Sequence, residues 1–142
     1  MTVAIDQEYA QAGYLKINLV GNATAAGLVG QVLNPEGQDL HIIEGYLYIE
    51  TAAGLASTFN IGIAATGVDA SDIASAILMN QAAGKVFRLI GTDLASEGDM
   101  TTPRGVNWDS AEYLTVTSAA QVSTSLKACI LLKYLRLADL AQ

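Results

Sequence analysis

Apolar and polar residues alternate with a period of two in one stretch of this chain after another, and bends marked by Gly or Pro interrupt the alternation. Successive side chains of an extended strand point to opposite faces, so this pattern commits the chain to half-buried β-strands. In residues 14–20, Leu15, Ile17 and Leu19 fall on one face and Lys16 and Asn18 on the other. Residues 28–33 make the next strand, stopped by Asn34-Pro35-Glu36-Gly37, where proline presets φ and glycine accepts a positive φ. Residues 40–50 carry Ile43, Leu47 and Ile49 on the odd face, with Ile42, Glu44, Tyr46, Tyr48 and Glu50 on the even face. After a turn over 51–56, Phe59, Ile61 and Ile63 alternate with Thr58, Asn60 and Gly62. Residues 85–90, 112–118 and 123–137 read as further strands. In the last of them Leu126, Ala128, Ile130, Leu132 and Tyr134 form an unbroken apolar row, while the other row mixes Lys127, Cys129, Leu131, Lys133, Leu135 and Leu137.

One segment breaks the period. Ile73, Ile77 and Leu78 recur at three- and four-residue spacing, with Asp69 or Ser71 placed to cap and Asp72 in the first turn, which predicts a short helix over 71–80. Residues 91–107, rich in Gly, Thr and Asp and holding Pro103, read as a loop longer than most structureless connections. Residues 1–13 are polar and poorly patterned and read as a flexible N-terminal arm, leaving 14–142 as one domain. Seven or eight strands without a βαβ series predict an all-β fold, a single antiparallel β-sandwich or jelly-roll-like domain with one short helical insertion. At 142 residues such a domain buries enough surface to stand without a metal or a disulfide, and the lone Cys129 permits no internal disulfide.

Charge and motif content then narrow the function. The net charge of −7 lies entirely in residues 1–84, and an acidic chain lacks the cations that displace phosphate counterions, so nucleic acid is not an expected partner. No run approaches the ~20 apolar residues of a membrane span, and the first residues lack the pattern of a signal peptide, so no membrane partner is expected and synthesis is expected in the cytoplasm. His41 is the single histidine, too few for a cupin-type metal centre. Asp93, Glu97, Asp99, Asp109 and Glu112 cluster around the long loop without the spacing of a calcium loop. Neither Gly-x-Ser-x-Gly nor a phosphate-binding glycine motif is present. The expectation is therefore a binding protein without catalytic residues, metal or cofactor.

Two strands have too much apolar surface for one core. With the odd residues of 40–50 turned inward, Ile42, Tyr46 and Tyr48 would be left in water, and Leu131, Leu135 and Leu137 do the same in the last strand. These six residues are the candidate interface, and identical subunits are the simplest partner.

The run Asn34-Pro35-Glu36-Gly37, the strand Leu40-x-Ile42-x-x-Gly45-x-Leu47-x-Ile49-x-Thr51, the run Ala56-Ser57-Thr58-Phe59-Asn60-Ile61-Gly62-Ile63-Ala64 and the segment Ala70-Ser71-Asp72 resemble the capsid decoration, or cement, proteins of tailed bacteriophages. The resemblance covers residues 30–137 and takes in Ala82-Ala83-Gly84 and the final strand. It implies a structural virion protein on the outer surface of an icosahedral head, a homo-oligomer and commonly a homotrimer, whose partner is the lattice of the major capsid protein. The alternative is a carbohydrate- or receptor-binding sandwich module of a virion that uses the loop over 91–109 and Trp108.

Overall fold

The computed structural model describes residues 11–23, 25–90 and 105–141. Along the chain these form β1 (Gly13–Val20), β2 (Gly27–Leu33), β3 (Leu40–Thr51), β4 (Thr58–Ala64), β5 (Ala74–Leu78), β6 (Lys85–Ile90), β7 (Val106–Trp108), β8 (Tyr113–Ala120) and β9 (Lys127–Arg136), followed by a 3-10 turn at Leu137–Asp139. The strands make two antiparallel sheets. The first runs β1-β9-β3-β6, with β7 beside the beginning of β3, and the second runs β2-β8-β4-β5. Chain connections cross between the sheets at β1–β2, β2–β3, β3–β4, β5–β6, β7–β8 and β8–β9, which gives the antiparallel sandwich that the alternation predicts.

Inward rows of both sheets meet in one core. Ile17, Leu19, Leu47, Ile49, Ile130 and Leu132 from the first sheet face Phe59, Ile61, Leu114 and Val116 from the second, all buried. Full burial of each such side chain is worth about 1.5–3 kcal/mol, so the two rows supply the main drive to fold. Leu126, Ala128, Ile130, Leu132 and Tyr134 are all buried, as the row in the sequence predicts.

Three local expectations are corrected. First, β3 does not keep one phase. Its register against β9 shifts between Ile42 and Glu44, so Ile43 is an extra residue, and the inward positions run Leu40, Ile42, then Gly45, Leu47, Ile49. A bulge flips every later side chain to the other face, which puts Ile42 in the core with no exposed surface. Second, residues 71–80 form no helix. They hold β5, paired antiparallel with β4, and the helix-like spacing arises because Ala76 adopts φ 51° and breaks the strand period. Asp72, placed for a helix N-terminus, instead accepts the Ile63 N–H at 2.8 Å. Third, Val106–Trp108 is a strand rather than the end of a loop. The remainder of that loop, 91–104, and residues 1–10 of the expected arm lie outside the described residues, while Gly13 already belongs to β1.

The two sheets differ on their outer faces. Residues 65–72 cross the outside of the second sheet and are tied down along their length. Gln31 bonds Thr66 Oγ1 and the Gly67 N–H at 2.8 Å each, Thr117 donates to Asp69, and Asp72 holds Ile63. Asn60 Nδ2 adds a bond to Asp69 at 3.2 Å. Beneath this crossing Thr115 and Thr117 are buried despite facing away from the core. Gly62 makes the approach possible, because a Cβ there would stand 2.3 Å from Asp72 Oδ1 and 2.6 Å from the Ala70 carbonyl carbon. No described segment covers the first sheet in this way.

Candidate interaction surface

The bare outer face of the first sheet is assembled row by row from the pairing register. Lys133 of β9 stands between Tyr14 of β1 and Glu44 of β3. The next row is Lys16, Leu131, Tyr46 and Arg88, followed by Asn18, Cys129, Tyr48 and Val86. Val20 and Thr51 flank Lys127 at one end, and Leu135, His41 and Asn107 form the row at the other. Tyr14 is 64% exposed, Val86 65%, Leu131 40% and Tyr48 39%, so a broad aromatic and aliphatic surface faces water. The cations stiffen it. Lys133 Nζ lies 6.0 Å from the Tyr14 ring centre and the Arg88 guanidinium 6.0 Å from that of Tyr46. At that range the negative face of the ring attracts the charge. Tyr46 also donates to Glu44 Oε2 at 3.2 Å.

Of the six predicted interface residues, the structure gathers Tyr46, Tyr48, Leu131 and Leu135 on this face. Ile42 is removed from it by the bulge, and Leu137 lies past the strand in the 3-10 turn. Tyr14, Val86 and Arg88 belong to the face but were not singled out, because β1 and β6 give no sign in the sequence of flanking β9 and β3. His41 sits at the face's edge with Nδ1 2.7 Å from Asn107 Oδ1. Among the described residues no three His, Cys, Asp or Glu side chains come together as a metal site. Nor is any helix among them long and apolar enough to cross a membrane.

Beyond the His41 row the sandwich ends in a polar knot centred on Asn34, which is 5% exposed. Its Oδ1 accepts the Glu36 and Gly37 N–H groups at 3.0 and 3.1 Å, closing the Pro–Gly turn, in which Gly37 has φ 64°. Its Nδ2 lies 2.9 Å from the Gln38 carbonyl oxygen, 3.0 Å from that of Trp108 and 3.2 Å from that of Asp109. One amide therefore joins the β2–β3 turn to the end of β7. Trp108 is 0% exposed and donates Nε1–H to the Glu112 carbonyl at 2.9 Å. It cannot stack on a sugar, which removes the residue on which the carbohydrate alternative was built. Asp109 and Glu112 close their own turn, with the Asp109 N–H on Glu112 Oε2 at 3.1 Å.

A clasp beside the knot ties β9 to the β2–β3 turn and to the residues just before β1. Arg136 Nε donates to Glu36 Oε1 at 2.5 Å, Tyr134 donates to the other carboxylate oxygen, and Arg136 Nη1 reaches the Gln11 carbonyl at 3.1 Å. Gly13 lets the Tyr134 ring pass, since a Cβ at that position would meet the ring at 2.2 Å. The hydrogen bond from Arg136, and then that from Tyr134, holds the Glu36 carboxyl below its usual range. Its contribution to stability is present above an unfolded pKa near 4.5 and lost as pH falls through the lower folded value. Burial, and then the bond to Glu36, pushes the Tyr134 hydroxyl from 10.0 up to about 12. That contribution is complete below pH 10 and is lost as pH rises toward 12, because the unfolded phenol ionises first. Melting temperature measured across this alkaline range is expected to fall for the wild type and to fall less steeply for Tyr134→Phe. Parallel curves would refute the assignment.

No protein-family model matches the chain, and no curated protein matches its sequence. Among solved structures the fold is similar to a chain from the capsid of Ralstonia phage GP4. That chain is 17% identical with a TM-score of 0.51, and the likeness covers 95% of this chain and 91% of that one. The two are thus alike in fold over nearly their whole lengths.

Proposed function

We propose that this protein is a structural, non-enzymatic virion protein that binds the outer surface of an icosahedral phage head. There it reinforces the lattice of the major capsid protein as an oligomeric cement or decoration protein, made in the host cytoplasm. The observation that carries this reading is the whole-chain likeness of fold to a capsid chain of similar length. Support comes from the first sheet, whose broad aromatic face no described segment covers, while the second is closed by its own chain. An exposed apolar patch of that kind marks a protein–protein surface.

Avidity is the physical basis of the mechanism. An oligomer that touches several neighbouring coat subunits makes its later contacts at high effective concentration, so weak single contacts add up to tight binding only on the assembled lattice. Those same contacts would resist outward pressure on the shell. The test mixes purified protein with heads that lack it, sediments them, and compares heads, dissociated coat protein and DNA. Heads are expected to retain the protein and the other two to leave it in the supernatant. Absence of binding to heads overturns the reading, and equal binding to free coat subunits overturns the avidity mechanism.

A further inference from the structure

Basic and acidic groups are sorted to different parts of the surface, although the chain as a whole is strongly acidic. Lys16, Arg88, Lys127 and Lys133, four of the seven basic residues, all stand on the outer face of the first sheet. Glu44 and Glu50 on the same strand offset only part of this charge. Asp39, Asp109, Glu112 and Asp139 collect at the end of the sandwich. There the Ser110 N–H bonds Asp39 Oδ1 at 3.0 Å, the Leu137 N–H bonds the Asp39 carbonyl at 3.1 Å, and Asp139 lies close enough to act on Arg136. The clasp neutralises Glu36 with Arg136, so this end remains acidic.

We propose that the basic, aromatic face of the first sheet docks on the acidic end of a second copy of this chain. The contact is head-to-tail, and it would be the bond that builds the oligomer. It rests on the oligomeric part of the function proposed above. Face-to-face pairing of two identical first sheets would set two net-positive faces against each other, and like net charge disfavours that arrangement. The acidic end supplies the opposite sign on the same molecule. Face and end adjoin along the row of Leu135, His41 and Asn107 rather than lying on opposite sides. Each successive copy is therefore turned relative to the last, and a head-to-tail contact of this kind builds a ring where its rotation closes. Tyr48, Leu131 and Val86, exposed between the cations, supply the apolar centre that such a contact needs.

The experiment is a charge swap read by light scattering, with no phage heads present. Lys16→Glu combined with Lys133→Glu swaps the sign of two charges on the face, and Asp109→Lys combined with Asp139→Lys swaps the sign of two at the end. Each pair alone is expected to weaken self-association about 100-fold and to return a mass of 14.8 kDa. The chain carrying all four changes is expected to assemble again within about tenfold of wild type, which also shows that the variants fold. A wild type that stays at 14.8 kDa at every concentration overturns the proposal, as do reversed variants that assemble unchanged. An end variant that assembles like wild type while the face variant does not would show a face-to-face contact instead and overturn it too. Sedimentation with heads separates the two readings. A monomer that binds heads refutes this interface alone, and an oligomer that ignores heads refutes the cement function alone.

Discussion

Replacing Asn34 with aspartate is expected to destabilise the protein by about 3–5 kcal/mol, more than replacing it with alanine. The carboxylate keeps the acceptor that closes the Pro–Gly turn, so the N–H groups of Glu36 and Gly37 stay satisfied. In place of the Nδ2 donor, however, it presents an oxygen to three carbonyl oxygens that lie 2.9 to 3.2 Å away. Alanine leaves those carbonyls unpaired but brings no like charge among them. The two substitutions also differ in pH dependence. Repulsion from the carbonyls raises the introduced carboxyl's folded pKa above its unfolded value, so the deficit is smallest below about pH 4 and grows as the unfolded state ionises. Denaturant melts of both variants at pH 3.5 and 7 decide the matter. An aspartate variant no weaker than the alanine variant at pH 7 would show that Asn34 does not hold this end together.

Trp108→Ala is expected to cost about 3–5 kcal/mol, which for a chain of this size lowers the melting temperature by about 10 °C or more. The indole is the largest of the fully buried side chains, and its removal opens a cavity opposite Leu40 of β3 and takes from the Glu112 carbonyl one of its two donors, leaving the Asn34 N–H at 3.0 Å. Trp108→Phe keeps most of the volume and should lose less than half as much. Because Asn34 bonds the Trp108 carbonyl itself, the two sites share one structure, and the double variant should lose less than the sum of the singles. Strict additivity measured by denaturant midpoints would contradict that coupling.

Much of the sandwich was legible because strands buried on one side must alternate. Ile17 and Leu19, the even row of β9, and Phe59, Ile61 and Ile63 all lie inward as their spacing requires. What the pattern could not show is where the period slips. Ile43 is as apolar as Ile42, so nothing in residues 40–50 says that two phases are joined there, and alternation alone puts Ile42 on the wrong side of the sheet. Residues 74–78 misled in the opposite sense. A strand bent at Ala76, with the Ala76 N–H held by Asn60 Oδ1 at 2.8 Å, spaces its apolar residues as a helix would. The interaction face was half visible, since Tyr46, Tyr48 and Leu131 could be nominated from their own strands, whereas Tyr14, Val86 and Arg88 join them only through pairings distant in sequence. The knot at Asn34 shows in the sequence only as a turn for the same reason, because Trp108 lies 74 positions away.

The pairing of β1 with β9 sets how the molecule yields to a pull. Gly13 lies opposite Tyr134 and Val20 opposite Lys127, so the beginning of one strand and the end of the other emerge side by side. Tension applied between residues 13 and 136 would peel the strands apart, loading one cross-strand bond at a time in the manner of a zipper. Tension between residues 20 and 136 would instead slide them lengthwise and load the whole row together. The zipper's opening is where Glu36, Tyr134 and Arg136 interlock, so the mechanically weak direction begins at a fastened point.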